Sequence, residues 1–199
     1  MEKFRLGRTE LMVSRSGFGA LPIQRIPMEE SDILLRKAYD NGINFFDTAN
    51  TYSAGTSEEY LGRALKKNVA RDKVIIASKV YFNEGHLKKE AIAREIEGTL
   101  KRLGTDYLDL YIIHRFDAST PIEETMEALD RLVRAGKVRA LGASAMYGYQ
   151  FYNMQLAARD NGLTPFISMQ NHYNPLYRED ERELIPICRQ MIVALTPYS

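Results

Sequence analysis

The stretch FFDTANTYSAGTSEEYLGRAL, residues 45–65, brings a carboxylate, a phenol and a helix start into quick succession, and its reading decides the fold. Ile43 opens a short apolar run that ends in Phe45 and Phe46, so Asp47 closes a buried strand and stands at its rim. Small and polar residues come next, with Tyr52 the one large side chain among them. Thr56, with Glu59 three positions on, is a capping-box signature that starts a helix. Asp47 and Tyr52 therefore share one strand-to-helix loop. In a parallel α/β fold such loops gather at the C-terminal edge of the sheet, where ligands bind. Taken singly, an Asp at a strand end is more often a turn residue, and a loop Tyr is more often a packing residue. The rest of the chain decides between these readings.

Working outward, residues 3–6 and 11–13 flank Gly7-Arg8-Thr9-Glu10 and predict a small β-hairpin. Residues 16–20 are a short glycine-bearing strand, and residues 29–40 a helix stopped by Gly42. Downstream of the opening stretch, a helix over 57–67 leads to the apolar run KVIIASK, a third strand that ends on Lys79. Ile92, Ile96, Thr99, Leu100 and Leu103 mark one face of an amphipathic helix. Residues 107–113 are then a buried strand ending at His114. A helix through Ile122, Met126, Leu129 and Val133 is closed by Gly136, and strand 138–144 comes after it with the sequence VRALGAS. A weaker helix over about 149–160, a strand over 166–170, a helix around 181–189 and a last strand over 192–197 complete the pattern.

Seven alternations of strand and helix, with no linker or low-complexity segment, predict one parallel α/β domain over residues 1–199. A doubly wound sheet should show GxGxxG after its first strand. Here Gly17-Phe18-Gly19-Ala20-Leu21-Pro22 puts Pro22 where the third glycine belongs. In a (β/α)8 barrel, functional residues come from the ends of several strands, and Asp47, Lys79 and His114 end strands two, three and four. The pattern therefore favours a (β/α)8 TIM barrel with an N-terminal hairpin, of which the chain covers about seven strands.

The composition narrows the function classes. The chain is 45% hydrophobic, and its 27 basic and 26 acidic side chains leave a formal net charge of +1, which supplies no basic field for nucleic acid. Cys188 is the only cysteine, so no internal disulfide forms, no zinc-like Cys/His spacing exists, and a metal site is not expected. No apolar run approaches the ~20 residues of a membrane span, and the charged N-terminus does not read as a signal peptide. The expectation is a cytoplasmic protein with no membrane partner.

With Asp47, Tyr52, Lys79 and His114 in view, the chain resembles the aldo-keto reductases, a family of (β/α)8-barrel carbonyl reductases that use NADPH. All four members of that family's catalytic tetrad have a match here. The similarity runs from the hairpin through FDTANTYSAG, VIIASK and YLDLYIIHR to the terminal LTPYS. The chemistry can also be rebuilt from the residue types. Carbonyl reduction requires a hydride at carbon and a proton at oxygen, and a free phenol is a reluctant proton donor that a nearby cation makes more willing. Lys79 would be that cation, Asp47 would hold Lys79, and His114 would hydrogen-bond the substrate oxygen beside the donor Tyr52.

The resemblance also assigns cofactor contacts to Gly19, Asp47, Ser144, Gln170, Tyr198 and Ser199. Ser144 and Gln170 would hold the nicotinamide carboxamide, Tyr198 would stack on the ring, and Ser199 would begin the pyrophosphate loop. Ala145 stands where many members have Asn, which removes one amide contact. A complete barrel takes ~250 residues, so the chain is expected to lack the C-terminal part that carries the adenosine contacts, and to self-associate through open barrel edges. The activity implied is NADPH-dependent reduction of a small aldehyde or ketone. The alternatives are a cofactor-binding regulatory subunit of a potassium channel on the same scaffold, and an inactive truncated aldo-keto reductase.

Overall fold

A computed structural model describes residues 1–199. Strands β1 (Lys3–Arg5) and β2 (Met12–Ser14) pair antiparallel, with Lys3 opposite Ser14. The remaining strands are β3 (Phe18–Gly19), β4 (Phe45–Asp47), β5 (Ile75–Val80), β6 (Leu108–Ile113), β7 (Val138–Ser144), β8 (Phe166–Gln170) and β9 (Ala194–Leu195). They form one seven-stranded sheet in sequence order, and every neighbouring pair is parallel. Helices α1 (Met28–Asp40), α2 (Thr56–Asn68), α3 (Lys89–Leu103), α4 (Ile122–Arg134), α5 (Gly148–Asp160) and α6 (Leu184–Gln190) alternate with the strands from β3 onward. This is the singly wound order of a (β/α) barrel, and β3 and β9 are its two edges.

The period of two along each strand divides the core in two. Phe45, Ile75, Ala77, Leu110, Ile112 and Ala140 pack on one face of the sheet, together with Leu6 and Val13 from the hairpin. Phe46, Ile76, Tyr111, Ile113, Leu141 and Phe166 face the other way and pack among the helices. Asp47 and Lys79 continue the parity of Phe45 and Ala77, so they share the inner face with the smaller cluster. Strand β8 keeps this parity only through an irregularity. Leu141 pairs with Phe166, but Gly142 pairs with Ser168, so Ile167 is an extra residue in the ladder. After this bulge Ser144 pairs with Gln170.

Several boundaries differ from the sequence reading. Thr56 is the first helical residue of α2 rather than its cap; the cap position is Gly55, in the left-handed region at φ 94°, and no side chain caps the helix. The capping box expected from Thr56 and Glu59 is therefore absent, because the chain enters α2 through a 3-10 turn at Tyr52–Gly55 that places Thr56 one position too late. The first strand shrinks from 16–20 to the two residues of β3. The last strand contracts to β9, and Tyr198 bridges His172 separately. Helix α6 begins at Leu184, after a 3-10 turn at Glu179–Glu181. No helix is long and apolar enough to cross a membrane.

Candidate active site

The C-terminal ends of β4, β5 and β6 converge. Beyond β4 the chain continues to pair with β5, since the Thr48 amide donates to Ala77 O at 2.9 Å and the Asn50 amide to Lys79 O at 3.3 Å. This carries the loop across the top of β5 and brings Tyr52 back over Lys79. The Lys79 ammonium donates to Asp47 Oδ1 at 2.5 Å, to Thr48 O at 2.8 Å and to the Tyr52 hydroxyl at 3.2 Å. An ammonium has three protons, and all of them are engaged here. Lys79 is fully buried. Burying a charge is tolerated only when it is paired and hydrogen-bonded, which Asp47 and Thr48 supply.

The turn after Tyr52 holds it in place. Ser53, Ala54 and Gly55 all have positive φ, at 48°, 54° and 94°. Two consecutive non-glycine residues in the left-handed region store strain that the surrounding contacts must hold. A Cβ on Gly55 would fall 2.6 Å from Arg102 Cδ, so the turn lies directly against that side chain. Arg102 in turn pairs with the fully buried Glu58 at 2.6 Å, and Glu58 accepts from Ser78 at 2.5 Å. The turn that carries Tyr52 thus rests on a buried ion pair behind the sheet.

His114 comes directly after β6, with its amide donating to Val80 O at 2.9 Å. Its ring stands edge-on to Tyr52 at 5.7 Å and edge-on to Phe82 at 5.1 Å. Burial, followed by the Lys79 and Arg115 charges, lowers its pKa from 6.5 to about 3. The imidazole is therefore neutral near neutral pH. Its Nδ1 is buried without a partner. With no acceptor in reach of Nδ1, the proton is assigned to Nε2, the nitrogen left to act as donor.

Asp47, Tyr52 and His114 line a cavity of about 920 Å³ that also takes in Ser144, Gln170 and Tyr198. The cavity runs on between the β3 and β9 edges as far as the hairpin. Gln170 donates its amide to Asp47 Oδ2 at 2.9 Å, so it braces the carboxylate that holds Lys79. Ser144 lies beside Gln170 in register. Tyr198 stacks on His172 at 5.4 Å, and Ser199 lines the same end of the cavity. Gly19 pairs with Asp47, and a Cβ there would meet nothing within 4 Å, so packing alone does not demand glycine at that position. The four positions of the expected tetrad thus lie together, and the residues expected to hold a cofactor border one side of them.

Sequence reasoning missed several parts of this site. Phe82 and Arg115 line the cavity, and Arg115 lies over the Phe82 ring at 5.4 Å from its centroid. Both come just after strand ends that the apolar runs already marked, and that position was the available signal. The β8 bulge is another such part, for which the sequence offers no glycine or proline cue. Ala145 adopts φ 46°, a conformation that asparagine tolerates better than alanine.

Comparison with known proteins places this fold among the aldo-keto reductases. The model of the Aldo/keto reductase family matches residues 16–199, and the chain belongs to that family. An aldo-keto reductase of Fusarium vanettenii is 43% identical over 98% of this chain and 62% of its own length. Aldo-keto reductase AMT2 of Alternaria alternata is 41% identical over 98% of this chain and 63% of its own. The chain thus spans a little over three fifths of the length of these relatives. The versiconal hemiacetal acetate reductase of Aspergillus parasiticus is 41% identical over 100% of this chain and 67% of its own length. A crystal structure of a thermostable aldo-keto reductase with the inhibitor epalrestat superposes with a TM-score of 0.91 at 34% identity, covering 100% of this chain and 73% of that one.

Proposed function

We propose that the protein reduces an aldehyde or ketone to an alcohol with NADPH, and that Tyr52 donates the proton. The observation that carries this reading is the Lys79 ammonium, held by Asp47 at 2.5 Å and directed at the Tyr52 hydroxyl at 3.2 Å. The residues present suit the nicotinamide half of the cofactor. Ser144 and Gln170 offer polar side chains for its carboxamide, Tyr198 offers a ring face, and Gly19 and Ser199 border the same space. The bound cofactor supplies the hydride.

The chain's own residues do the rest. The substrate oxygen lies between the Tyr52 hydroxyl and His114 Nε2–H, and two donors fix its orientation. Tyr52 releases its proton to that oxygen as negative charge develops there. The phenolate left behind faces the Lys79 ammonium, whose other protons stay bound to Asp47 and Thr48. Asp47 is a positioning residue here, and Gln170 keeps its second oxygen engaged. The test is to incubate purified protein with NADPH and an aromatic aldehyde and to quantify the alcohol. One alcohol formed per NADPH oxidised supports the reading. Cofactor binding without any alcohol across a panel of aldehydes and ketones overturns it.

A further inference from the structure

Of the charged groups of the cavity that the proposed mechanism leaves unused, Arg115 is the one without an ion pair. Arg5, Arg15 and Arg115 all line the cavity. Arg5 pairs with Glu10 at 3.1 Å and Arg15 with Glu2 at 3.5 Å, whereas Arg115 forms no ion pair. Its guanidinium lies over the face of Phe82, and Phe82 stands edge-on to His114 at 5.1 Å. Stacking on an aromatic face orients a guanidinium while leaving its N–H edge free to donate. The only acidic side chain lining the cavity is Asp47, and both of its oxygens are taken, by Lys79 and by Gln170. The Arg115 charge reaches the site, since it is one of the causes that depress the His114 pKa.

We propose that Arg115 is a specificity-determining residue that binds a carboxylate on the carbonyl substrate, so that the site selects anionic aldehydes or ketones. Phe82 would pack against the body of such a substrate while the guanidinium meets its carboxylate in a bidentate pair. The geometry separates this role from the cofactor's. Arg115 lies just beyond β6, whereas Ser144, Gln170 and Tyr198 lie on or beyond β7, β8 and β9. The inference rests on the reductase reading for its chemistry, and its binding component can be tested apart from it.

The probes are the three isomers of carboxybenzaldehyde and their methyl esters. Their binding is measured by calorimetry with and without NADP+, for the wild type, Arg115→Met and Arg115→Lys. At least one acid should bind about tenfold or more tightly than its ester. That preference should vanish in Arg115→Met and return in part in Arg115→Lys. No preference for any acid, or a preference that survives in Arg115→Met, overturns the proposal. A tenfold loss of NADP+ affinity in Arg115→Met with the acid preference unchanged would instead assign Arg115 to the cofactor, which also overturns it. Turnover of the same probes with NADPH separates the two claims. An Arg115-dependent preference without reduction sinks the reductase reading and leaves this one standing, whereas reduction without preference does the reverse.

Discussion

At His114, burial and two nearby cations all act against the charged imidazole. Between about 3 and 6.5 the unfolded chain binds a proton at this site that the folded chain does not. Stability therefore rises with pH through that window and is lost as pH falls through it. Urea unfolding at pH 7 and pH 5 should show this loss, and it should shrink in His114→Gln. Asp117, in the loop after β6, acts in a lower window. Burial opposes its charge, but hydrogen bonds from Ser119, Thr120 and the Leu87 amide outweigh it and hold the pKa at about 2 rather than 3.8. Its contribution is present above 3.8 and is lost as pH falls toward 2. Ala145 gives a prediction of the opposite sign. Because it sits at φ 46°, Ala145→Asn should raise stability by about 1 kcal/mol in thermal unfolding.

Helices α2 and α3 approach closely at Gly62, where an added Cβ would lie 2.3 Å from Leu103 O. The clash is with backbone, so Gly62→Ala should cost about 1 to 3 kcal/mol, read as a lower urea midpoint at unchanged slope. In the sheet, deleting Ile167 would remove the β8 bulge while leaving Gln170 opposite Ser144, so the Gln170 contact with Asp47 should survive that deletion. These same elements show how much was legible in the sequence. The strands over 43–47, 73–79 and 107–113 were readable because each is buried on both faces, so an apolar run ending abruptly in Asp47, near Lys79 or before His114 stands out. The bulge was not, because Phe-Ile-Ser-Met-Gln fits a regular strand equally well. Nor were the left-handed turns at Ser53 and Ala54, since neither residue type marks that conformation in a sequence. The 3-10 turn to which they belong also makes Thr56 the first residue of α2 rather than its cap.

Across the whole molecule, seven parallel strands succeed one another in order, so β3 and β9 each present one unpaired side. Unpaired strand edges are templates for association. A polypeptide of residues 1–199 should therefore sediment as species heavier than its 22.8 kDa monomer, increasingly so at higher concentration. A monomer at all concentrations would show that the edges are protected. The sheet also defines the central claim, because it is the parallel order that sets Asp47, Lys79 and His114 at adjacent strand ends around Tyr52. The most direct test of that claim is single-turnover reduction of an aromatic aldehyde by wild type and Tyr52→Phe, with NADPH affinity measured on both. The account predicts a fall in rate of about 10² or more, the usual contribution of a positioned general acid. NADPH affinity should stay within about threefold, because the substitution removes a proton donor and no cofactor contact. Equal single-turnover rates in the two proteins would contradict it.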